Sequence, residues 1–354
     1  MTIDSGDVKD GCSRASMRLV RASPFVLALA LLAGCGGGGG GGGSHATPAT
    51  PPPSTSPTVG PMAPVTGSPT QVVAKMSVGG QPCGVLAVAG SIWVTDAAAG
   101  VLRRIDPQTH RVVSSAPVDE TPCELTSGFG SIWVATQRGF LDRVSPSTGR
   151  VTKHIEVGLT SYEPVVAFGR VWVSNRGSGD ISVVDPATNR VTSVPTPGMS
   201  PGGLVAQGGY LWVGDDTAAS TAFARLDPRT RTLTRLSAPG RPAFVAAAAG
   251  RVWVASEDAG TVTGYDPRTL KPVGPALPAG TRPVNLTGLL DREVWVPDDL
   301  GNLLTRIDAR AGRVLERLAV CPGPAVVAPS GSEVWVSCFE GGEVWHLRPG
   351  GAAP

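Results

Sequence analysis

The 354-residue chain is long enough for two ordinary domains or for one large all-β domain. Only 16% of its residues are charged, and 47 glycines with 33 prolines favour many short strands joined by turns over long surface helices. The net charge of +2, without clusters of Lys and Arg, excludes the basic surface that nucleic-acid-binding proteins use, so no nucleic-acid partner is expected.

Residues 1–34 have the pattern of a bacterial lipoprotein signal. A basic segment begins at Met17, an apolar run too short to span a bilayer follows, and the sequence Leu-Ala-Gly-Cys ends at Cys35. This ending resembles the bacterial lipobox, and the resemblance implies that Cys35 becomes the acylated first residue of an exported protein. More than one acyl chain gives stable membrane anchoring. The alternative is an ordinary cleaved signal followed by a chance cysteine. Met17 is also a second candidate for the start of the chain.

Residues 35–70 are predicted to be an acylated cysteine followed by a disordered tether. Eight glycines at 36–43 precede a segment rich in Pro, Thr and Ser, which has too few apolar side chains to form a core. A flexible chain of this length has an end-to-end distance of roughly 30 Å. The tether is therefore long enough to hold the following domain clear of a membrane surface.

From residue 71 to residue 349 one motif repeats seven times, and residues 350–354 form a short tail. The motif is centred on a Trp-Val pair, and successive tryptophans lie 39 to 42 residues apart. These tryptophans are Trp93, Trp133, Trp172, Trp212, Trp253, Trp295 and Trp335. A fixed period of this length is typical of solenoids, propellers and other repeat arrays.

A complete copy contains four short strands, which we label A to D. In the first copy the predicted strands are 85–88, 92–95, 101–105 and 112–118. An Asp-Pro turn at Asp106 separates strands C and D, because proline presets φ and the aspartate can accept a backbone hydrogen bond from two residues on. Since the region has no helical period, each copy is predicted to form a four-stranded antiparallel sheet.

The two ends of the array predict a closed ring. The last copy stops after strand C, and a single unpaired strand at 71–78 precedes the first copy. If that N-terminal strand completes the last sheet, the ring has no free ends, whereas an open solenoid would need polar caps. The fold class is therefore predicted to be all-β, a seven-bladed β-propeller closed by its N-terminal strand. The tryptophans are expected to pack between blades rather than to form a stacking surface for a ligand.

The full motif, Gly-Ser-(Ile/Val)-Trp-Val followed by an Asp-Pro-x-Thr turn, resembles that of YncE/YVTN-type propellers over residues 71–349. It resembles less closely the motif of the streptogramin (virginiamycin B) lyase family. This second resemblance implies an activity that needs a histidine and glutamates with magnesium over the mouth of the propeller. The four histidines are expected in the tether, in a turn on the opposite face and in two strands: His45, His110, His154 and His346. Without a histidine at the mouth, lyase activity is not expected.

The strand order places the B–C loops and the D–A loops on one face of the propeller, which we call the top face. Every copy has a charged residue shortly after strand B, and the D–A loops add polar groups near the inner strands. The candidate ligand-binding residues are Asp96, Arg138, Tyr162, Arg176, Asp215, Asp216, Arg241, Asp258, Arg282, Asp298, Asp299 and Glu340. We interpret them as a polar mouth for a small ligand or a partner protein of the cell envelope. The alternative is that they are solvated turn residues.

Neighbouring acidic loops in the fourth to sixth copies suggest a second interpretation of the same face. Carboxylate oxygens are the ligands that Ca²⁺ and Mg²⁺ prefer, so this acidic sector could hold one of these ions. No EF-hand spacing is present in these loops, and no other cofactor is expected.

The four cysteines after the tether are expected to form two disulfides in an exported protein. Cys83 and Cys123 occupy the same position in adjacent copies, so a bond between them would join the first two blades. Cys321 and Cys338 flank strands A and B of the last copy and can bridge there. Each bond would contribute about 2–4 kcal/mol. The alternative is a metal site built from clustered thiols of neighbouring copies.

These patterns favour a non-catalytic, lipid-anchored propeller that binds a ligand or protein outside the cytoplasm and acts as a monomer. One alternative is a metal-dependent envelope enzyme of the lactonase or lyase type that uses the acidic sector. Another is a structural spacer or surface-interaction protein. No arrangement of a histidine with a nucleophile can be assembled from the top-face loops, which favours the non-catalytic interpretation.

Overall fold

The structure is a computed structural model and describes residues 69–351. The predicted signal, Cys35 and nearly all of the tether lie outside the described residues, as do residues 352–354 of the predicted tail. Within residues 69–351 no helix is long and apolar enough to cross a membrane.

The described part of the chain folds into 28 β-strands. The first thirteen are β1 (Gln71–Ser77), β2 (Pro82–Val88), β3 (Ser91–Asp96), β4 (Val101–Asp106), β5 (Arg111–Pro117), β6 (Pro122–Gly128), β7 (Ser131–Thr136), β8 (Phe140–Val144), β9 (Val151–Glu156), β10 (Ser161–Ala167), β11 (Arg170–Asn175), β12 (Asp180–Val184) and β13 (Val191–Pro195). The next eight are β14 (Pro201–Gln207), β15 (Tyr210–Asp215), β16 (Ala222–Leu226), β17 (Leu233–Ser237), β18 (Phe244–Ala248), β19 (Arg251–Ser256), β20 (Thr261–Tyr265) and β21 (Leu277–Pro278). The last seven are β22 (Thr287–Leu289), β23 (Glu293–Asp298), β24 (Leu303–Asp308), β25 (Arg313–Ala319), β26 (Pro324–Ser330), β27 (Glu333–Cys338) and β28 (Glu343–Arg348).

The strands assemble into seven four-stranded antiparallel sheets, the blades. Blade 1 consists of β2–β5, and each following blade takes the next four strands, up to β22–β25 in blade 6. Blade 7 consists of β26, β27, β28 and the N-terminal β1, in which Gln71 pairs with Arg348 and Ser77 with Glu343. Strand β2 packs against both β6 and β26, so the ring is closed. The prediction of a seven-bladed β-propeller closed by its N-terminal strand is confirmed.

The hydrophobic core lies between neighbouring blades, and the repeated tryptophans are its largest members. All seven are at most 2% exposed. In β3 every residue from Ser91 to Asp96 is buried, as expected for a strand that neighbouring blades cover on both faces. The indole N–H groups of Trp133 and Trp172 donate hydrogen bonds to backbone carbonyls five residues earlier. The tryptophans therefore pack between blades, and the alternative of a stacking surface is wrong.

The Asp-Pro turns between strands C and D have the mechanism that their sequence predicts. One carboxylate oxygen of Asp106 accepts the N–H groups of Gln108 at 2.8 Å and Thr109 at 3.2 Å. These two bonds hold the pKa of Asp106 below its usual range. The same bonds form at Asp185 and at two further turns of the ring, Asp227 and Asp266.

One strand is much shorter than its counterparts. The outer strand of blade 5, β21, contains only Leu277 and Pro278. Three prolines between residues 272 and 278 remove backbone donors from this edge and interrupt the ladder, which has one further bridge, between Tyr265 and Pro272.

Two disulfides lie at the top of the ring. Cys83 and Cys123 join blades 1 and 2 with their Cα atoms 4.9 Å apart. Cys321 and Cys338 join the start and end of the A–B hairpin of blade 7 with their Cα atoms 5.8 Å apart. The prediction of disulfides is confirmed, and the alternative of free thiols holding a metal is wrong because all four sulfurs are bonded.

Candidate functional site

The inner strands of most blades begin with a β-bulge on the top side of the ring. The register shifts by one residue between Pro122 and Leu125 in blade 2, and between Ser161 and Pro164 in blade 3. Blades 1, 4 and 7 have the same shift at the same position. In blade 1 the bulge extends the predicted strand at 85–88 back to Pro82. Because bulges redirect side chains, these positions determine what the ring presents at its centre.

In blades 2 and 3 the bulges carry acidic and aromatic side chains: Glu124 follows Cys123, and Tyr162 precedes Glu163. Hydroxyl groups hold the backbone of both bulges: Ser174 Oγ accepts the N–H of Glu163 at 3.0 Å, and Thr95 Oγ1 of blade 1 donates to the carbonyl of Cys123 at 2.6 Å. One carboxylate oxygen of Glu163 accepts the N–H of Leu204 in blade 4 at 3.1 Å. The bulges therefore fix two glutamates from adjacent blades beside the inner strands.

Arg176, which follows strand β11, lies over these bulges. Its guanidinium is 3.6 Å from the centre of the Tyr162 ring and 5.5 Å from that of Phe244. It forms an ion pair with Asp216 of blade 4 at 3.1 Å. The Nε and Nη2 atoms of Arg176 are buried and have no hydrogen-bond partner. The guanidinium group of Arg176 is therefore held by its ion pair with Asp216 and by stacking on Tyr162, while its Nε–Nη2 edge stays unpaired.

A chain of ion pairs continues from Asp216 into blade 5. Arg241 pairs with Asp216 at 3.4 Å, with Asp258 at 3.4 Å, and with Glu257. Burial first, and then the charge of Asp216, raise the pKa of Glu257 to about 7, although Arg241 opposes the shift. The network thus contains a carboxyl group that is only partly ionised at neutral pH.

Blade 6 completes the arrangement with a charge pair and an amide. Arg282 binds Asp299 through two bonds, with Nε at 2.7 Å from Oδ1. The Tyr162 hydroxyl donates a hydrogen bond of 3.0 Å to Asn285 Oδ1, while Asn285 Nδ2 has no partner and the residue is 8% exposed. Arg282 also lowers the pKa of Glu257, which places it within electrostatic reach of the blade 5 network.

The two bulge glutamates have strongly perturbed acidities. Burial raises the pKa of Glu124 to about 7, against the opposing charge of Arg176 and a hydrogen bond with Tyr162. Burial and the nearby Glu124 raise the pKa of Glu163 well above its usual range. Glu124 is 7% exposed, and its Oε1 atom has no hydrogen-bond partner. Two neighbouring carboxyl groups that resist ionisation are a feature of functional sites.

We call this arrangement the central site. It comprises Glu124, Tyr162, Glu163, Arg176, Asp216, Arg241, Glu257, Asp258, Arg282, Asn285 and Asp299. It brings together seven of the residues that the sequence singled out: Tyr162, Arg176, Asp216, Arg241, Asp258, Arg282 and Asp299.

Three other candidates do not occupy the exposed loops to which the sequence assigned them. Asp96, Asp215 and Asp298 are the last residues of their B strands and are buried. Each accepts backbone N–H groups of the preceding loop, as Asp298 does from Thr281 at 2.8 Å and Arg282 at 2.9 Å. This corrects their placement: these carboxylates hold the D–A loops in position rather than facing solvent.

The remaining two candidates lie at the rim. Arg138 pairs with Glu120 at 2.5 Å, but the two side chains are 61% and 72% exposed, so the pair contributes little to stability. Glu340 is exposed at the tip of its loop in blade 7. Neither lies in the central site.

Sequence reasoning missed Glu124, although a signal for it exists. Glu124 stands nine residues before Trp133, and Glu163 stands nine residues before Trp172. Aligning the copies on their tryptophans therefore pairs the two glutamates.

The acidic sector does not collect its carboxylates around one point. Within residues 69–351 no three His, Cys, Asp or Glu side chains are grouped so that they could hold a metal ion. Asp298 and Asp299 are instead engaged by backbone N–H groups and by Arg282.

Comparisons with known proteins identify the fold. No protein-family model matches the sequence, and no curated protein matches it. Virginiamycin B lyase from Staphylococcus aureus is similar in structure, with a TM-score of 0.70 and 14% identity over 79% of this chain and 99% of that chain. A streptogramin B lyase has a TM-score of 0.69 and 16% identity, over 79% of this chain and 97% of that chain. Hydrazine synthase from Kuenenia stuttgartiensis has a TM-score of 0.66 and 13% identity, over 77% of this chain and 96% of that chain. The resemblance to streptogramin lyase-like propellers is thus confirmed for the fold alone, and the YncE/YVTN resemblance stays a prediction.

Proposed function

We propose that the protein is an exported, lipid-anchored, non-catalytic propeller that binds a small polar ligand at the central site. The observation that carries this proposal is a set of buried polar atoms that lack partners in three blades. They are Glu124 Oε1, Arg176 Nε, Arg176 Nη2 and Asn285 Nδ2. A buried polar group without a partner costs about 1–3 kcal/mol, so a ligand that satisfies several of them gains affinity.

The unpaired edge of Arg176 has a direct comparison within the molecule. Arg282 and Arg306 use the same Nε–Nη2 edge to bind Asp299 and Glu293 through two hydrogen bonds each. In Arg176 this edge has no partner, although the side chain is only 7% exposed. Since a guanidinium edge matches a planar acceptor, the proposed ligand carries a carboxylate or carbonyl group on this side.

The export of the protein is supported by its two disulfides, because such bonds persist in oxidising compartments outside the cytoplasm. The lipid anchor is proposed from the sequence around Cys35. We expect Cys35→Ala to move the protein from the membrane fraction to the soluble fraction, as judged by immunoblotting, and to abolish labelling by radioactive palmitate. An equal distribution of variant and wild type would argue against the anchor. Cys12→Ala, upstream of the signal, is the matched control.

Ligand binding is tested by thermal unfolding of the full chain in detergent with a library of small polar compounds. A compound at 100 times its dissociation constant contributes about 2.7 kcal/mol, so we expect at least one to raise the Tm by about 5 °C or more. Arg176→Gln should abolish this shift, whereas Arg138→Gln, at the exposed rim, should preserve it. A library without any stabilising compound, or a shift that survives Arg176→Gln, contradicts the proposal.

An enzymatic function is a second candidate because of two observations. The structurally similar propellers include lyases, and Glu124 and Glu257 have pKa values near 7, which suits proton transfer at neutral pH. The histidines of residues 69–351 lie elsewhere: His110 in a bottom turn, His154 in β9 and His346 in β28. Quinupristin, which is bound in one of the lyase structures, is therefore included in the library. A product peak in its chromatogram would favour the enzyme.

A further inference from the structure

We infer that the ligand of the central site carries an organic cation, a primary ammonium or a guanidinium, which pairs with Glu124 and Glu163. The inference rests on the proposed function and names the chemistry of its ligand. It starts from geometry: the two glutamates occupy the same bulge position in adjacent blades, and hydroxyl groups of Thr95 and Ser174 hold the backbone at Cys123 and Glu163.

The charge of Arg176 acts on both glutamates, but neither of them forms an ion pair with a described side chain. Within residues 69–351 no Lys, Arg or His side chain forms an ion pair with Glu124 or Glu163, whereas Asp216, Glu257 and Asp299 all have one. Glu163 uses one oxygen for the N–H of Leu204 and retains some exposure. The pair therefore offers carboxylate oxygens to a cation that comes from outside the chain.

The charge balance of the central site points the same way. Six carboxyl groups face three guanidinium groups. The carboxyl groups belong to Glu124, Glu163, Asp216, Glu257, Asp258 and Asp299, and the guanidinium groups to Arg176, Arg241 and Arg282. Burial raises the pKa of Glu124, Glu163 and Glu257, so bound protons neutralise this excess of acidic groups, and an incoming cation would take the place of those protons.

The surroundings favour an organic cation over a metal ion. The described residues offer no group of three ligands for a metal. Two aromatic rings, Tyr162 and Phe244, lie with their centres 6.0 Å apart beside the glutamates, and Arg176 already rests on the first. Aromatic faces attract ammonium and guanidinium groups. With Asn285 Nδ2 and the free edge of Arg176 as donors, the site suits a compact ligand that has one cationic group and one acceptor group.

Binding of such a cation is expected to release protons. The pKa of Glu124 is raised to about 7, and that of Glu163 is raised well above its usual range. A bound cation stabilises the ionised carboxylates and lowers both values, so a proton leaves as the cation enters. At pH 5.5 the carboxyl group of Glu124 is protonated, and its proton competes with the cation. We therefore expect the affinity to rise at least tenfold between pH 5.5 and pH 7.5.

The test is isothermal titration calorimetry of the full chain with putrescine and agmatine, each up to 10 mM, in two buffers of different ionisation enthalpy. We expect at least one of these cations to bind with proton release. Glu124→Gln and Glu163→Gln should each weaken binding at least tenfold and reduce the proton release. Glu120→Gln, at the exposed rim of the same blade, should leave both unchanged. Circular dichroism verifies that each variant is folded.

Three outcomes would overturn the inference. They are the absence of binding by every cation tested, equal binding by wild type and Glu124→Gln, and binding of CaCl₂, MgCl₂ or sodium acetate alone. In each of these cases the proposed function is decided separately by the compound library and Arg176→Gln. A neutral or anionic ligand found there would support a binding propeller with a different ligand.

Discussion

Deleting residues 71–77, which form β1, is expected to lower the Tm of the protein by at least 10 °C and to broaden its unfolding transition. The deletion exposes the whole edge of β28, which β1 covers from Gln71 to Ser77. It also removes the buried Met76 and the contact of Lys75 with the Trp345 ring at 3.8 Å. Each buried apolar side chain of this size costs about 2–5 kcal/mol when lost, and an unpaired strand edge promotes association between molecules.

The measurement is calorimetric unfolding, with light scattering to detect association. Deleting residues 50–56 of the tether, a segment of equal length, is the matched control and should leave the Tm unchanged. A second variant with residues 71–77 moved to follow Gly351 should recover most of the loss, because the strand then completes blade 7 as an ordinary C–D hairpin. A deletion variant that melts like the wild type would show that ring closure does not depend on β1.

The closed ring could be predicted from the sequence because the residues that specify it are close together in the chain and recur in every copy. A Trp-Val pair recurs in every copy, and the missing last strand and the extra first strand can both be seen in one chain. Burial of the tryptophans on both faces of each blade follows from the same pattern. The disulfide between Cys83 and Cys123 could be expected for a similar reason, since equivalent positions in adjacent copies lie side by side.

The central site was harder to predict from the sequence because it depends on backbone features that the pattern of apolar residues does not show. The bulge positions hold Cys and Gly in blade 1, but Cys123 and Glu124 in blade 2, and Tyr162 and Glu163 in blade 3. Residue polarity therefore does not reveal the shared backbone geometry. The aspartates show a second difficulty: a carboxylate after strand B can face solvent or accept backbone N–H groups. Only the fold shows that Asp298 accepts those of Thr281 and Arg282.

Replacing Glu124 by glutamine is expected to stabilise the fold by about 2–3 kcal/mol at pH 8, although the substitution removes a residue of the proposed binding site. The folded-state pKa of Glu124 is about 7, above its usual value of 4.5. Below pH 4.5 the carboxyl group is protonated in both the folded and the unfolded protein, so it contributes no difference. As the pH rises toward 7, the unfolded chain ionises freely while burial opposes ionisation in the fold, and the wild type loses stability. Glutamine has no such cost.

Guanidinium chloride unfolding of both proteins at pH 5 and pH 8 measures this effect as the difference in unfolding free energy between variant and wild type. The titration of groups remote from Glu124, such as His346, cancels in this difference. The difference should be small at pH 5 and reach its full size at pH 8, while Glu120→Gln should show none at either pH. A Glu124→Gln variant that is less stable at both pH values would mean that the carboxylate supports the fold. A variant that is more stable than the wild type at pH 8 would instead show that the fold retains an unfavourable buried acid. Selection for stability alone would remove such a group, whereas a bound cation would neutralise it.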